Sequence, residues 1–541
     1  MPPKDTASTF PALFAEIVAR RGDHDALLIA DETLTYRDLD ERTSCMARAL
    51  LAVGAGKATR IALLAPDSAL FLTAFYAALR IGALVTPIST LSTPTELAHI
   101  LRTSDAQILI AARRFLSRDH GSILEAALPG VEAAAGTTLR RPDAPYLRSV
   151  WFDDADGLPW ASSTADLLSR ADHPDAPDAA LLAAVEREVV PGDDAFVVYT
   201  SGSTATPKAV VHGQWAVARQ PPVLATYFDV QPHDRTLSLL PAFWMGGISA
   251  ALQVLSTGST LVYPTAPDVD TVLDTIEGHG ITNVVIWHML AKLHARARAR
   301  GVDLEHIKIT TGPTRDKNGD PIPRHLQTRM LGMSESFAPH SAEPVTWRLP
   351  ESKAGAAGRA VNGIERRVVD PATGAEVAPG EIGELQLRGG ALMTGFYKVP
   401  RSSVFTADGF FPTADLVRID ADGYAFFVGR ISDMIKTNSA NVSRLEVEAA
   451  LNSLPDVDLA VVAGLPDPEL GEKVVAAVVP APGRAPTETE LRAALRERLS
   501  SFKVPRHVVF ITHDDIPRTP TGKVRLSELT EMVGNHLHAT V

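Results

Sequence analysis

Cysteine is almost absent from this chain. Cys45 stands alone among 541 residues, which excludes an intrachain disulfide framework and any Cys-rich zinc site. Positive charge is in deficit: 52 Lys and Arg face 64 Asp and Glu, a net charge of −12, with a pI near 5.8. That balance argues against nucleic-acid binding, which needs a basic footprint for phosphate. Long hydrophobic runs are missing too. The most apolar stretch, Ile61–Ile88, is interrupted by Asp67, Arg80 and Pro87, so no piece reaches the ~20 apolar residues of a bilayer span. The start, Met1-Pro2-Pro3-Lys4-Asp5, has no apolar segment of the kind a secretory signal carries, and a cytoplasmic location is expected. Aromatics are few at 6%, yet 45% of the residues are hydrophobic and the mean hydropathy is +0.04, as in folded rather than disordered chains. At roughly 150 residues per domain the length predicts three or four domains or subdomains.

What is present is an alternation of helix and strand patterns. Phe10–Arg21 places Phe10, Leu13, Phe14, Ile17 and Val18 on one stripe of a helix. Thr35-Tyr36-Arg37-Asp38-Leu39 opens a second helix. Arg60–Leu64 reads as a buried strand, Asp67–Leu79 as helix and Gly82–Pro87 as strand, the rhythm of an α/β domain with a mostly parallel sheet. Pro129–Asp194 is richer in Ala, Asp and Pro, and reads as a loose connection with short strands and one helix near Ala179–Glu188. Phe196–Tyr199 resumes as strand, and a second α/β rhythm runs to Val285. Glu365–Phe396 is strand-like but broken by glycines, which suits a small antiparallel or barrel-like piece. Beyond Gly429-Arg430 the order is helix Glu446–Leu451, strands Leu459–Leu465 and Lys473–Val479, helix Thr487–Ser500 and strand His507–Ile511, about the length of a small α/β domain.

One segment concentrates chemistry. Tyr199-Thr200-Ser201-Gly202-Ser203-Thr204-Ala205-Thr206-Pro207-Lys208 follows a strand and gathers hydroxyls, a glycine and a lysine in one loop. Hydroxyls, backbone N–H groups and an ammonium all donate to phosphate oxygens. A Ser/Thr-rich surface turn has the same composition, and both readings stand on chemistry alone. A Walker A loop is excluded, because Pro207 precedes Lys208 where the second glycine belongs. There is no Gly-x-Ser-x-Gly elbow and no His-Glu-x-x-His helix. Gly54-Ala55-Gly56 precedes a strand instead of following one, so it is no dinucleotide fingerprint. Lys292–Arg300 reads as a solvated helix end.

The loop resembles the phosphate-binding motif of the adenylate-forming superfamily of acyl- and aryl-CoA ligases, adenylation domains and luciferases. Further segments resemble that family's signatures in the same order: Leu240-Pro241-Ala242-Phe243-Trp244-Met245-Gly246-Gly247, Leu331-Gly332-Met333-Ser334-Glu335, Gly383-Glu384-Leu385 with Gly395-Phe396-Tyr397, Asp408–Asp415, Gly429–Lys436 and Pro520-Thr521-Gly522-Lys523. The resemblance implies an α/β fold: a large N-terminal domain of two parallel-sheet subdomains and a small β-barrel-like one over residues 1–429, a hinge at 430–433, and a small mobile α+β domain over 434–541. It implies ATP, Mg²⁺ and CoA, a small-molecule carboxylic acid as substrate, no nucleic-acid partner and no integral membrane segment, and leaves a homodimer open.

Residue by residue, the resemblance implies that Thr200, Ser201, Gly202, Ser203, Thr204 and Lys208 hold the β- and γ-phosphates, and that Thr200 and Glu335 serve Mg²⁺. Gly312, Pro313, Thr314, Leu331, Gly332, Met333 and Ser334 border the adenine and the acyl carbonyl. Asp415 accepts from the ribose hydroxyls, Arg430 contacts the ribose, and Asp433 is the hinge residue. His212, Phe243, Trp244, Gly247, Phe337 and His340 line the acyl pocket. Lys523 bridges substrate carboxylate and α-phosphate, a task suited to a point charge on a flexible stem. Lys436 lies where the thiol approaches in the second half-reaction. Several positions depart from the pattern: Ala205, Ala209, Ala414 and Ser439 replace glycines, Arg444 replaces a proline, Leu331 an aromatic, and Thr310-Thr311-Gly312 a more glycine-rich turn. An alanine or serine at a left-handed backbone position costs about 1 kcal/mol or more. Three readings follow: a carboxylate–CoA ligase, an enzyme that hands its adenylate to a carrier protein or other nucleophile, and a catalytically impaired nucleotide- or acyl-binding relative.

Overall fold

The computed structural model describes residues 7–29, 32–134, 138–200, 208–286, 289–309, 312, 314–431, 434–437, 440–467, 471–499, 503–518 and 524–539. The chain divides into two compact units, one of residues 1–366 with 387–411, the other of 367–386 with 412–541.

Two sheets organise the first unit. In the larger, the strands Leu84–Pro87, Arg60–Leu64, Ile108–Ala111 and Ser149–Phe152 lie parallel and side by side. Asp194–Thr200 joins them in parallel beside Leu84–Pro87, and Lys208–Gly213 then turns back antiparallel. Gly395–Phe396 closes that edge. The second sheet runs Lys308–Ile309, Asn283–Val285, Arg235–Ser238, Thr260–Tyr263, Asp25–Ile29, with Glu32–Thr35 antiparallel at its edge. Each has its own core: Leu64, Leu109, Phe152 and Trp160 among others on one, Leu237, Val262, Leu273 and Val284 on the other.

The helices start where the sequence provides caps. Thr35 and Asp38 form a reciprocal capping box on Tyr36–Ala52. Ser68 accepts from the Phe71 N–H and so opens Ala69–Arg80, which leaves Asp67 ahead of the helix rather than in its first turn. Phe10–Arg21 follows the expected stripe, with Phe10, Leu13, Phe14 and Ile17 buried. Burial of that kind contributes about 1.5–3 kcal/mol per side chain before entropy is set against it.

Three expectations need correction. Pro129–Asp194 is more built than its texture implied: Ser149–Phe152 extends the large sheet and Trp160 is fully buried. A four-residue run gains its burial from distant neighbours, so it leaves no periodic signal. The glycine-broken stretch supplies Ile364–Val369 and Ile382–Gly389 to an open four-stranded sheet completed by Phe411–Ile419 and Ala425–Arg430, and not to a closed barrel. Glu488–Arg496 ends sooner than the helix read over Thr487–Ser500.

In the second unit the C-terminal sheet pairs Val457–Asp467 with Gly471–Pro480 antiparallel, flanked by Met434–Thr437 with Ala440–Ser443 and by His507–Phe510. Alternation puts Val462, Val474 and Ala476 against helices Arg444–Asn452 and Glu488–Arg496. Val461, Val475 and Ala477 meet Leu529 and Val533 of Leu526–Ala539. Among the described residues no helix is long and apolar enough to cross a membrane.

Candidate active site

The residues that flank the hydroxyl-rich sequence belong to an antiparallel pair. Thr200 and Lys208 are the last partners of the strands Asp194–Thr200 and Lys208–Gly213, and Thr200 Oγ1 donates to the Lys208 carbonyl at 3.4 Å. Ser201, Gly202, Ser203, Thr204 and Ala205 lie outside the described residues. Lys208 is exposed, and its ammonium sits 5.2 Å from the ring centroid of Phe396, within cation–π range. Phe396 is held there because it pairs with Val210. Around it, the Tyr397 N–H donates to the Ala209 carbonyl at 2.8 Å, and Thr394 Oγ1 donates to Asp194 at 2.9 Å.

Glu335 is presented by the short turn Ser334–Ser336. Three contacts fix that turn. His212 Nε2 donates to the Ser334 carbonyl at 2.7 Å, the Met393 N–H donates to the Glu335 carbonyl at 2.8 Å, and Ser336 Oγ donates to the Ala338 carbonyl at 2.7 Å. Phe337 and Ala338 then take left-handed backbone, φ +59° and +99°, strained for non-glycine residues. Gly332 is required opposite them, since a Cβ there would lie 2.7 Å from the Ala338 carbonyl carbon. Among the described residues nothing donates to the half-exposed Glu335 carboxylate. Two oxygens left open in this way are the hard donors that Mg²⁺ prefers.

His212 is fully buried between Phe196 and Phe337, with ring centroids at 5.2 and 5.0 Å. Burial pushes its pKa down to about 4 against the opposing pull of the Ser334 carbonyl. It is therefore neutral, and its Nδ1 has no partner among the described residues. Burial, followed by the nearby Arg366 charge, likewise holds His340 down at about 3. Its Nδ1 lies 3.0 Å from Ser341 Oγ. Phe243 and Trp244 meet edge-on at 5.5 Å, and Trp244 precedes the helix Met245–Thr257. Gly247 admits no side chain, because a Cβ would lie 2.2 Å from the Pro241 carbonyl oxygen. Gly312 is confined by Ile309 in the same way, with 2.9 Å between Cβ atoms. Thr314 Oγ1 is buried without a partner among the described residues, and Leu331 lies opposite Ser341 in the strand pair. Pro313 is outside the described residues.

In the second unit Asp415 and Arg430 are cross-strand partners, and Arg430 Nε meets Asp415 Oδ1 at 2.9 Å. The Asp415 side chain is nearly buried, whereas that of Arg430 is half-exposed. Ala414 has φ +59°: the alanine that departs from the family pattern occupies the left-handed region that a glycine would fill without strain. Its N–H donates to Glu384 at 3.0 Å. Lys436 lies on the strand Met434–Thr437, in register with Asn441. Asp433, Ser439 and Lys523 lie outside the described residues. Among the described residues on either side of Lys523, Arg518 and Val524 form an antiparallel bridge, and the Arg525 N–H donates to the Pro517 carbonyl at 2.8 Å.

The model of the family described as "AMP-binding enzyme" matches residues 14–397, and that of the "AMP-binding enzyme C-terminal domain" matches residues 446–523. The chain belongs to the AMP-binding enzymes. The indoleacetate–CoA ligase of Aromatoleum aromaticum is 30% identical over 94% of this chain and 95% of its own. The fatty acid–[acyl-carrier-protein] ligase ScoC of Streptomyces coeruleorubidus is 30% identical over 94% and 93%. The fold is that of ATP-bound MatB from Rhodopseudomonas palustris, with TM-score 0.75 at 24% identity over 96% of this chain and 98% of the other. As an AMP-binding enzyme this protein is an AMP-forming acid–thiol ligase. Such a ligase makes an acyl-adenylate from a carboxylate and ATP and then a thioester, using Mg²⁺ and CoA.

The sequence reading of this AMP-binding enzyme missed the groups that hold the candidate residues. Met393, Ser336, Thr394 and Glu384 act through hydrogen bonds to partners distant in sequence or through backbone atoms. The only sequence signal among them was Glu384, inside a family-like segment.

Proposed function

We propose that this ligase activates a fatty, cyclic or aromatic carboxylic acid and passes the acyl group to CoA. The observation that carries the reading is the pairing of Thr200 with Lys208, the residues on either side of the hydroxyl-rich sequence of the family's type, with the lysine exposed. A carboxylate is a poor electrophile, and the acid and the triphosphate repel each other, so positioning and charge neutralisation carry the reaction. In this reading Lys208, with the hydroxyls of Thr200, Ser201, Ser203 and Thr204 and the Gly202 backbone, orients the β- and γ-phosphates. Thr200 and Glu335 would hold Mg²⁺, which neutralises phosphate charge when bound. Gly312, Pro313, Thr314 and Leu331–Ser334 border the adenine and the acyl carbonyl. Asp415 accepts from the ribose hydroxyls, and Arg430, also assigned to the ribose, orients its carboxylate. Lys523 neutralises the acid's carboxylate beside the α-phosphate.

His212, Phe243, Trp244, Gly247, Phe337 and His340 shape the acyl pocket. His212 and Phe337 do so from behind, because both are fully buried. Lys436 serves the thiol step. Residues 1–429 and 434–541 act as the two catalytic domains, with 430–433 and Asp433 as hinge. We place the enzyme in the cytoplasm, and light scattering in solution decides whether it is a homodimer.

A panel of carboxylic acids scored by pyrophosphate release, with and without CoA, tests the function. Acid-dependent pyrophosphate release with CoA-dependent AMP release is expected; no release with any acid would point to the impaired relative. A second reading, transfer to a carrier-protein thiol, is favoured by the likeness to ScoC and by Ser439 in place of a family glycine. Acyl transfer to a phosphopantetheinylated carrier protein but not to CoA would select it.

A further inference from the structure

Asp67 interrupts the most apolar stretch of the sequence, and none of the roles above uses it. It follows the strand Arg60–Leu64 of the larger sheet by three residues, and Ala242 follows Arg235–Ser238 of the smaller sheet by four. Both residues therefore lie beyond the carboxyl ends of parallel strands, where α/β sheets bind ligands. There Asp67 Oδ1 accepts a hydrogen bond from the Ala242 backbone N–H at 2.6 Å, and this bond ties one sheet's loops to the other's.

The segment it holds is otherwise secured from its own side. The Leu239 N–H donates to the Val285 carbonyl and the Trp244 N–H to the Pro241 carbonyl, both at 3.0 Å. Gly247 packs so tightly on Pro241 that no side chain fits between them. The tie to Asp67 fixes the intervening residue, immediately before Phe243 and Trp244.

We propose that Asp67 is a positioning residue for the acid substrate, its carboxylate holding the Ala242 backbone so that Phe243 and Trp244 keep a fixed wall of the acyl pocket. This rests on the reading that those two aromatics line that pocket.

The surroundings make the tie sensitive to pH. The residue keeps partial exposure, but its carboxyl group is surrounded by protein, and that burial pushes its pKa up to about 7 against the pull of the Ala242 N–H. The titratable group facing it is Tyr263, at the end of the strand Thr260–Tyr263, and Tyr76 of the helix Ala69–Arg80 faces Tyr263 in turn. Burial holds both phenols far above their usual range, so they stay neutral and the response near pH 7 belongs to Asp67. No cation pairs with Asp67 among the described residues. A carboxylate accepts more strongly than a carboxylic acid, so the tie tightens as pH rises through about 7.

The test uses the full-length enzyme, its Asp67→Ala and Asp67→Asn variants, and an acid from the panel. Loss of the acceptor in Asp67→Ala is expected to raise KM for the acid about tenfold, with kcat and KM for ATP changed less than about twofold. Asp67→Asn keeps an acceptor oxygen and recovers much of that loss. In the wild type KM for the acid falls as pH rises through about 7, and in Asp67→Asn it is flat there. Hydrogen exchange of peptides covering 240–247, measured without substrate, is expected to quicken in Asp67→Ala. Unchanged exchange, an unchanged KM for the acid, or the same pH profile in wild type and Asp67→Asn would overturn the proposal. If no acid is turned over, the functional reading fails, while exchange still judges the tie.

Discussion

Ala414 holds its left-handed backbone next to Asp415, so the strain sits where the ribose is expected to bind. Ala414→Gly is expected to stabilise the protein by about 0.5–1 kcal/mol, the relieved strain being partly offset by greater freedom of the unfolded chain. A denaturant midpoint that stays or falls would contradict this. Lys523→Ala is expected to remove nearly all adenylation while nucleotide binding persists, because one ammonium must neutralise two anions at once; unchanged pyrophosphate release would remove that role. Arg444 shows how a departure from the family pattern is accommodated. At the first helical position, where proline is favoured, its guanidinium instead reaches Glu448 one turn on at 2.6 Å.

The turn Ser334–Ser336 is held from outside by His212 as well as by its own Ser336. His212→Phe keeps an aromatic ring but leaves the Ser334 carbonyl with the Phe337 N–H at 3.3 Å alone, and is expected to cost about 1 kcal/mol and to raise the Mg²⁺ concentration for half-maximal activity. His212→Gln, which retains an N–H donor, should restore part of both; a Mg²⁺ titration indifferent to all three side chains would dismiss the link. Elements of this kind show what the sequence disclosed and what it hid. Helices Phe10–Arg21 and Ala179–Glu188 were legible because periodic apolar residues and their flanks speak locally. The strand pair that ends at Thr200 and restarts at Lys208 was half legible, since only Phe196–Tyr199 read as strand. Ser149–Phe152, the Met393 N–H on Glu335 and Asp67 on Ala242 were not, since each gains its meaning from a partner far along the chain. A lone aspartate in an apolar run has the same letters whether it meets water or an amide.

At the scale of the whole molecule two buried histidines contribute to the response to acid. His212 and His340 have their pKa values lowered in the fold, to about 4 and about 3 from an ordinary 6.5. Their contribution is thus fully present above pH 6.5 and is lost as pH falls through those lowered values. Asp67 has the opposite sign: raised from 3.8 to about 7, it contributes below the first value and its contribution is gone once pH passes the second. Melting temperature is expected to decline from about pH 6.5 to 4 and, at about pH 8, to rise in Asp67→Asn. Calorimetry that shows a level acid limb would contradict the first, and an unshifted variant the second. The order of strands also has a cost during synthesis. Asp25–Ile29 waits for Thr260–Tyr263, and the Thr260 hydroxyl reaches the Asp25 carbonyl from 235 residues away. At about 5–20 residues per second a ribosome needs roughly 10–50 s to deliver that partner. For that time Ala26, Leu27 and Leu28, apolar on both faces of the strand, are a client for chaperones, and slower translation in a foreign host lengthens their exposure.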